Sequence, residues 1–226
     1  DVSFQVRKGE ILGIAGLMGA GRTELVSSLF GAYGGKATGE VFVEGKPVRI
    51  RSVSDAIRAG LALVSEDRKR QGLVMGMDVK TNTTMATLAK VSKFGVINDN
   101  EEIRWGLKYV QDLKTKTASL ETPVGTLSGG NQQKVVVGKW LMSDPKILIM
   151  DEPTRGIDVG AKYEIYHLMN QLVDQGVAII MISSELPEVL GMSDRILVMS
   201  EGRFVREFDW REATQENIMQ AATGGK

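Results

Sequence analysis

The chain has 226 residues, of which 28 are basic and 28 acidic, so no excess of charge favours nucleic acid or a membrane surface as a partner. There is no cysteine, which excludes disulfides and thiol chemistry, and no apolar run approaches the roughly 18 residues that a membrane-spanning helix needs. The chain opens at Asp1 without a methionine or a signal peptide, and we expect it to be part of a longer protein.

In the first third of the chain, a glycine-rich loop separates a predicted strand from a predicted helix. The elements predicted up to residue 72 are, in chain order, strands at 1–6 and 10–15, a helix at 23–30, a hairpin over 39–48 that turns at 44–45, a helix at 54–59, a strand at 61–65 and a polar loop at 66–72. The basic run at 68–70 is interpreted as a solvated part of that loop.

The rest of the chain continues the alternation of strands and helices. The predicted elements are helices at 101–113, 132–141 and 161–174, strands at 146–150, 177–182, 195–199 and 202–208, and a turn at 201–202. In the helix at 101–113, Ile103, Leu107 and Val110 share one face. This order predicts an α/β fold with a parallel core sheet, and the helical stretch at about 79–125 is predicted to be an inserted subdomain.

The first candidate for chemistry is the loop GLMGAGRT, whose glycine spacing is that of a phosphate-binding loop. Glycines let the backbone curl so that several N–H groups point at one anion, and the following helix adds its positive dipole end. The residues assigned to the phosphates are Gly16, Leu17, Met18, Gly19, Ala20, Gly21, Arg22 and Thr23. Thr23 also offers a hydroxyl to Mg²⁺. A glycine-rich strand-to-helix turn without a ligand is the alternative interpretation of this motif alone.

The second candidate is ILIMDE, a buried strand with two carboxylates at its carboxyl end. Sheets of α/β proteins bind ligands at that end of their strands. Asp151 is predicted to hold Mg²⁺ through water, and Glu152 to polarise an attacking water. An acidic strand end by itself is usually a solvated edge or a helix cap. Together with the glycine loop it indicates a nucleotide.

The third candidate is LSGGNQQK, in which Ser128 and two glycines open a helix. This is a second helix start that could bind an anion, although Ser128 could equally be only an N-cap. One nucleotide needs only one such helix start.

The succession of LSGGNQQK and ILIMDEPTRGID resembles the ABC-transporter ATPase family over essentially the whole chain. The resemblance implies a P-loop NTPase fold: an ABC ATPase domain over 1–226, with a mostly parallel core sheet, an antiparallel β subdomain and an inserted helical subdomain. It also implies that two such domains pair head to tail. Each ATP then lies between the phosphate loop of one domain and the LSGGQ-type signature of the other.

The segments EDRKRQGL and SSELPE, with DEPTRGIDVGAK, look more specifically like the C-terminal half of the ATP-binding subunit of bacterial monosaccharide importers. The implied partners are the N-terminal ATPase half, the membrane permease and, indirectly, a periplasmic or extracellular sugar-binding protein, with no nucleic acid. The implied location is the cytoplasmic face of the bacterial inner membrane. No residue of this chain is expected to touch the sugar.

The resemblance also assigns residues beyond the phosphate loop. It assigns Asp158 to signalling across the dimer, and the set contacting the partner's nucleotide is Ser128, Gly129, Gly130 and Gln132. Glu66 opens the segment that links nucleotide to permease and joins Thr23 and Asp151 as a candidate metal ligand. The adenine-stacking aromatic is expected before Asp1.

Three positions depart from the family pattern. Arg22 replaces the phosphate-loop lysine, Glu66 stands where glutamine is usual, and Ser184 stands where a switch histidine usually contacts the γ-phosphate. An arginine fork cannot tuck under the phosphates as an ammonium does. Losing two or three transition-state contacts would slow turnover by about 10²–10⁴, while the backbone cradle still binds ATP.

The sequence thus predicts an ATP-hydrolysing half of a sugar importer with a degenerate site of its own and an intact signature for the partner's site. Glu152, Ser184 and Asp158 are its predicted catalytic residues. One alternative is a nucleotide-binding regulatory module that does not turn over ATP. Another is an ABC ATPase acting on DNA or the ribosome, which the balanced charge and the lack of a coiled-coil insertion disfavour.

Overall fold

The computed structural model describes residues 2–224. Its strands are β1 (Ile11–Gly16), β2 (Val41–Val43), β3 (Lys46–Val48), β4 (Leu61–Val64), β5 (Ser92–Lys93), β6 (Val96–Ile97), β7 (Ile147–Asp151), β8 (Ala178–Ile182), β9 (Arg195–Ser200) and β10 (Arg203–Asp209). Its α-helices are α1 (Arg22–Leu29), α2 (Val53–Arg58), α3 (Val79–Thr84), α4 (Asp99–Asp112), α5 (Gly129–Leu141), α6 (Val159–Asp174), α7 (Leu186–Met192) and α8 (Gln215–Ala222).

These elements form two compact units. The first contains residues 2–63, 146–153 and 169–224, and the second contains residues 64–145 and 154–168. The helical stretch predicted at about 79–125 lies inside the second unit, which extends beyond it on both sides. Among residues 2–224, no helix is long and apolar enough to span a membrane.

The first unit is built on a six-stranded sheet in the order β10-β9-β1-β8-β7-β4. β1 pairs in parallel with both β8 and β9, and β7 pairs in parallel with β8, whereas β10 runs antiparallel to β9. β2 and β3 form a separate antiparallel hairpin. The mostly parallel sheet, the separate hairpin and the α/β class predicted from the sequence are therefore confirmed.

The central strands carry continuous apolar runs because both of their faces are covered. Leu12 and Ile14 of β1, Leu148 of β7 and Ile179 of β8 have no exposed side-chain surface. Since β1, β7 and β8 are parallel, their carboxyl ends lie at the same edge of the sheet. That edge receives the glycine loop after β1, the two carboxylates at the end of β7 and the serines after β8.

The strand predicted at 1–6 is wrong for residues 2–6, which form no strand; Asp1 lies outside the described residues. The apolar alternation does have a structural cause, because Phe4 packs edge-on against Phe204 with 5.4 Å between ring centroids. The backbone, however, bonds to a side chain: the carbonyl of Gln5 accepts from Nη2 of Arg195 at 2.6 Å. Alternation here reflects side-chain packing without strand pairing.

In the second unit, α3, α4 and α5 pack against one another. The predicted apolar face of α4 is not its packing face, because Ile103 and Leu107 are 37% and 44% exposed and Val110 is only half-buried. The buried side of α4 carries Glu102, which is 3.0 Å from Nζ of Lys80 on α3. The packing face of α4 therefore combines a buried ion pair, which apolar periodicity cannot register, with Gly106 and Tyr109.

The polar segment predicted as a loop at 66–72 contains a π-helical turn, Arg68–Gly72. The Asp67 carboxylate caps this turn by accepting from the backbone N–H groups of Lys69 and Arg70 at 3.2 and 3.1 Å.

A buried ion pair ties the start of β9 to the chain before β1. Nε of Arg195 donates to Oε1 of Glu10 at 2.8 Å, and Oε2 of Glu10 also accepts from the backbone N–H of Arg7 at 2.5 Å. Both side chains are largely removed from water, whereas Glu207, which bonds Nη1 of the same arginine, is 52% exposed.

We expect Glu10→Gln to lower the free energy of unfolding by about 3 kcal/mol, because it removes the buried counter-charge of Arg195 and leaves only the exposed Glu207. Glu207→Gln is the matched control and should cost less than about 1 kcal/mol, since that pair is exposed to solvent. Urea unfolding of both variants measures the difference. Equal losses from the two substitutions would contradict the argument.

Candidate functional site

The glycine loop leaves β1 at Gly16 and enters α1 at Arg22. A side chain at position 16 would bring its Cβ to 2.4 Å from the carbonyl oxygen of Met199, so only glycine fits there. Gly19 and Gly21 have φ of 80° and 98°, in the left-handed region that favours glycine. No side chain caps α1, so its first N–H groups remain available to an anion.

Asp151 ends β7 beside this loop, where the Thr23 hydroxyl hydrogen-bonds to its carboxylate. Asp151 is only 2% exposed, and its Oδ1 is buried without any hydrogen-bond partner. Burial raises the pKa of Asp151 to about 6, with a smaller raising effect from Glu152, while the Thr23 bond and the charge of Arg22 lower it. A buried, unpaired carboxylate oxygen is costly unless a cation or its water occupies it.

Glu152 follows directly and has a strained backbone, with φ of 50° and its N–H donating to the carbonyl of Ile182 at 2.9 Å. The Ser184 hydroxyl donates to Oε2 of Glu152 at 3.1 Å. The structure therefore brings together two of the three predicted catalytic residues, Glu152 and Ser184, at the edge of the sheet that carries the glycine loop.

The Arg22 side chain is bound within the first unit. Its Nη1 donates to the carbonyl oxygen of Ser183 at 2.8 Å, next to the Ser184 that bonds Glu152. The guanidinium thus links the start of α1 to the chain leaving β8. Arginine carries its five N–H donors on three nitrogens, so Arg22 keeps donors on separate atoms for a phosphate while Nη1 bonds Ser183. A lysine would also keep donors, but all of them on the one nitrogen that contacts the carbonyl.

These residues fit a magnesium nucleotide. Thr23 and Asp151 lie together as Mg²⁺ coordination in phosphate-loop proteins requires, and the uncapped start of α1 next to them offers N–H groups to phosphates. Within residues 2–224 there is no group of three or more His, Cys, Asp or Glu side chains that could hold a metal by themselves. The ion would therefore depend on phosphate oxygens and water for its remaining ligands.

In the second unit, Ser128 has the backbone of an N-cap, yet its side chain makes no capping hydrogen bond. The interpretation of Ser128 as only a cap is therefore not supported. Gly129 and Gly130 are tightly enclosed: an added Cβ would lie 2.8 Å from the carbonyl of Gly156 in the first case and 2.5 Å from Cβ of Ala161 in the second. A cavity of about 240 Å³ opens beside this helix start.

Gln132 is only 4% exposed, and its amide donates to the carbonyls of Val124 and Leu127 at 3.2 and 3.1 Å. It holds the turn that precedes α5. Asp158, which lines the cavity, caps α6: its Oδ1 accepts from the backbone N–H of Ala161 at 2.9 Å. Among the predicted residues of the second unit, Ser128, Gly130 and Asp158 thus lie around one cavity.

The segment 66–72 is fixed within the second unit, in part by side chains that the sequence did not single out as functional. Arg68, interpreted as solvated, is half-buried and donates to the carbonyls of Arg155 and Gly156 at 2.7 and 3.1 Å. Glu66 forms an ion pair with Arg155. Nζ of Lys139 donates to the carbonyl of Gly72 at 2.6 Å.

Lys139 is 5% exposed and lies in α5 within the apolar run VVVGKW. A lysine inside such a run is the one signal by which sequence reasoning could have found this anchor. Arg68 offers no such signal, because its partners are carbonyls distant in the chain.

Comparison with known proteins agrees with this geometry. Residues 1–155 match the family model described as ABC transporter. The chain belongs to the ABC transporter family. The xylose import ATP-binding protein XylG of Thermoanaerobacter pseudethanolicus is 62% identical over all 226 residues of the chain. The ribose import ATP-binding protein RbsA of Geobacillus kaustophilus is 53% identical over 225 residues.

The chain spans 45% of the length of each of these two relatives. Among solved structures, a nucleotide-free ATP-binding cassette from an ABC transporter superposes with a TM-score of 0.80 at 25% identity, over 98% of this chain and 87% of that one. A dimeric ATP-binding cassette bound to ADP and Pi superposes with a TM-score of 0.77 at 18% identity, over 94% of this chain and 90% of that one. The family's ATP-binding fold is thereby confirmed.

Asp151→Asn should stabilise the nucleotide-free protein while removing its response to Mg²⁺. At pH 7.5 we expect the free energy of unfolding to rise by about 1–3 kcal/mol, because the amide carries no buried charge. The stabilisation that ATP adds in the presence of Mg²⁺ should disappear. Thermal unfolding with and without ATP measures both effects, and a destabilised protein with an unchanged Mg²⁺ response would contradict this role.

Lys139 should make stability depend on pH, because burial lowers its pKa to about 8 from the ordinary 10.5. Between these values the unfolded chain holds a proton that the folded chain has released, so stability rises with pH. Relative to Lys139→Met, the wild type should gain about 3 kcal/mol from pH 8 to pH 10.5. Urea unfolding at the two pH values measures this gain.

Lys139→Arg should lose the same dependence, since arginine keeps its proton across that range. If the wild type and both variants follow parallel pH profiles, Lys139 does not titrate as argued.

Proposed function

We propose that this chain is one nucleotide-binding half of an ATP-binding subunit that hydrolyses ATP to energise monosaccharide uptake. Relatives that are 53–62% identical over the whole chain carry the names of xylose and ribose import proteins. The proposed partners are a second ATPase half, a membrane permease and, indirectly, a sugar-binding protein. The proposed location is peripheral, on the cytoplasmic face of the inner membrane.

The observation that carries nucleotide binding is the buried Asp151 oxygen without a partner, beside Thr23 and an uncapped helix start. Thr23 and Asp151 would hold the ion, and the N–H groups of the glycine loop would hold the phosphates. Bound magnesium would neutralise phosphate charge. Glu152 is oriented by Ser184 and would polarise the attacking water.

We further propose that turnover at this chain's own site is slow. One guanidinium nitrogen of Arg22 donates a hydrogen bond to the carbonyl of Ser183. Ser184, at the position of the usual histidine, has its hydroxyl directed at Glu152. Arg22 and Ser184, which occupy positions that usually contact the phosphates, are thus bonded to other protein atoms. This supports ATP binding with weakened stabilisation of the transition state for hydrolysis.

The signature, in contrast, keeps the features that the partner's nucleotide would need. The Ser128 hydroxyl is not used for capping, and Ser128 and Gly130 face the cavity. The main catalytic contribution of this chain is therefore proposed to be made in trans, at the site whose phosphate loop belongs to the partner half.

A non-hydrolysing regulatory module is the second candidate, and the Arg22–Ser183 bond favours it. Multiple-turnover ATPase of the complete subunit, with both halves, distinguishes the two candidates when Glu152 of this chain is changed to glutamine. A fall in turnover supports hydrolysis at this site, whereas unchanged turnover supports the regulatory module.

We expect Ser128→Ala and Arg22→Ala to differ in the complete subunit. Ser128→Ala should lower ATPase turnover about tenfold or more, because it removes a hydrogen bond to a charged phosphate at the active site of the partner half. Arg22→Ala should lower it less than about threefold, because this chain's own site adds little turnover. Steady-state ATPase measures both, and equal losses would refute the asymmetry.

A further inference from the structure

The Ser128 hydroxyl is held by a neighbour that nothing in the signature pattern assigns to it. Nδ2 of Asn131 donates to Oγ of Ser128 at 2.9 Å. On its other side, Oδ1 of Asn131 accepts from the backbone N–H of Lys116 at 2.8 Å. Asn131 therefore connects the first turn of α5 to the chain segment that precedes the signature.

The Lys116 contact fixes which way the Asn131 amide points. A backbone N–H can only donate, so the amide atom that faces it must be the oxygen. The atom that faces Ser128 is then the NH₂ group, which can only donate. It follows that the Ser128 oxygen accepts from Asn131, and that the hydroxyl proton is directed elsewhere.

The segment that carries Lys116 is itself held in place. Nζ of Lys134, which is 4% exposed, donates to the carbonyl of Lys114 at 3.0 Å and lies 2.7 Å from Oε2 of Glu164 on α6. The orientation of the amide thus depends on an anchored backbone and not on a loop free to turn its N–H away.

The hydroxyl proton of Ser128 has no other use among the described contacts. The residue makes no capping bond, lies exposed at the helix start and lines the cavity together with Asn131 and Lys134. A hydroxyl that accepts one bond and keeps its proton is a donor prepared for an anion.

We propose that Asn131 is a positioning residue: it holds the Ser128 hydroxyl as a donor toward the terminal phosphate of the nucleotide bound by the partner half. This inference rests on the proposed function in trans. Asn131 acts through Ser128 and needs no contact with the nucleotide. Its NH₂ group donates to the Ser128 oxygen and offers no acceptor for the hydroxyl proton. An aspartate at the same position would supply such an acceptor.

Asn131→Asp tests this arrangement with little change of shape. The carboxylate still accepts from the N–H of Lys116, but its second oxygen accepts the Ser128 proton and so withdraws the donor from the phosphate. In the complete subunit we expect turnover at saturating ATP to fall about tenfold or more. The matched control is Asn98→Asp at the cap of α4, where Oδ1 accepts from two backbone N–H groups and an aspartate serves equally well.

A readout that does not involve turnover is the rise in unfolding temperature caused by nucleotide. A non-hydrolysable ATP analogue should stabilise the wild-type subunit more than ADP does, because only the analogue reaches Ser128 with a terminal phosphate. Asn131→Asp and Ser128→Ala should both shrink this excess, and Asn98→Asp should keep it.

The double variant Ser128→Ala/Asn131→Asp separates positioning from charge repulsion. If Asn131 acts through the hydroxyl, the double variant is no worse than Ser128→Ala alone. If the new carboxylate merely repels phosphate, its loss persists in the Ser128→Ala background, and the proposal is overturned. Asn131→Ala replaces Asn131→Asp if the latter fails to fold, and its loss, whatever its size, must also vanish without the hydroxyl.

The outcomes also keep this inference apart from the proposed function. If Ser128→Ala leaves turnover and the analogue's excess stabilisation unchanged, the role of the signature in trans is wrong. If Ser128→Ala lowers both and Asn131→Asp lowers neither, the role in trans stands and only the assignment of Asn131 is wrong.

Discussion

The desolvated carboxylate of Asp151 is the constraint on which the proposed nucleotide site depends. A charge at the buried end of a strand is unfavourable without a counter-ion, and the raised pKa of Asp151, about 6, reflects that cost. Parallel pairing of β1, β7 and β8 places this carboxylate at the edge where the glycine loop begins. Burial of this carboxylate thus lowers the stability of the folded protein, and binding of a cation to it can restore that stability.

Local patterns predicted the elements that position this site. Continuous apolar runs identified β7 and β8, and glycine spacing identified the loop before α1, because each signal lies within a few neighbouring residues. The prediction for residues 2–6 was wrong since alternation reports which side chains are covered and not what the backbone bonds to. The packing face of α4 was missed because it carries Glu102, paired with Lys80, and apolar periodicity does not register a buried charged residue.

Contacts between distant parts of the chain could not be predicted in this way. Arg68 donates to carbonyls 87 and 88 residues away, and any residue could have supplied those carbonyls. Asn131 belongs to the signature by position, yet its use depends on the N–H of Lys116, 15 residues earlier. The sequence specifies which side chain stands at each position. It does not show which backbone group that side chain will bond, because the fold alone brings the two segments together.

The two units differ in how their polar groups are occupied, and this difference favours a division of tasks. In the first unit, Arg22 and Ser184 are both bonded to neighbouring protein atoms, so a nucleotide would have to compete with contacts already made. In the second unit, the Asn131 amide donates to the Ser128 oxygen, so the serine hydroxyl proton remains available for another hydrogen bond. Side chains that already have hydrogen-bond partners in the protein can contact a ligand, but their interaction changes little when charge develops on that ligand. A prepared donor gains most when charge develops on the phosphate, and this is the condition for a catalytic contribution.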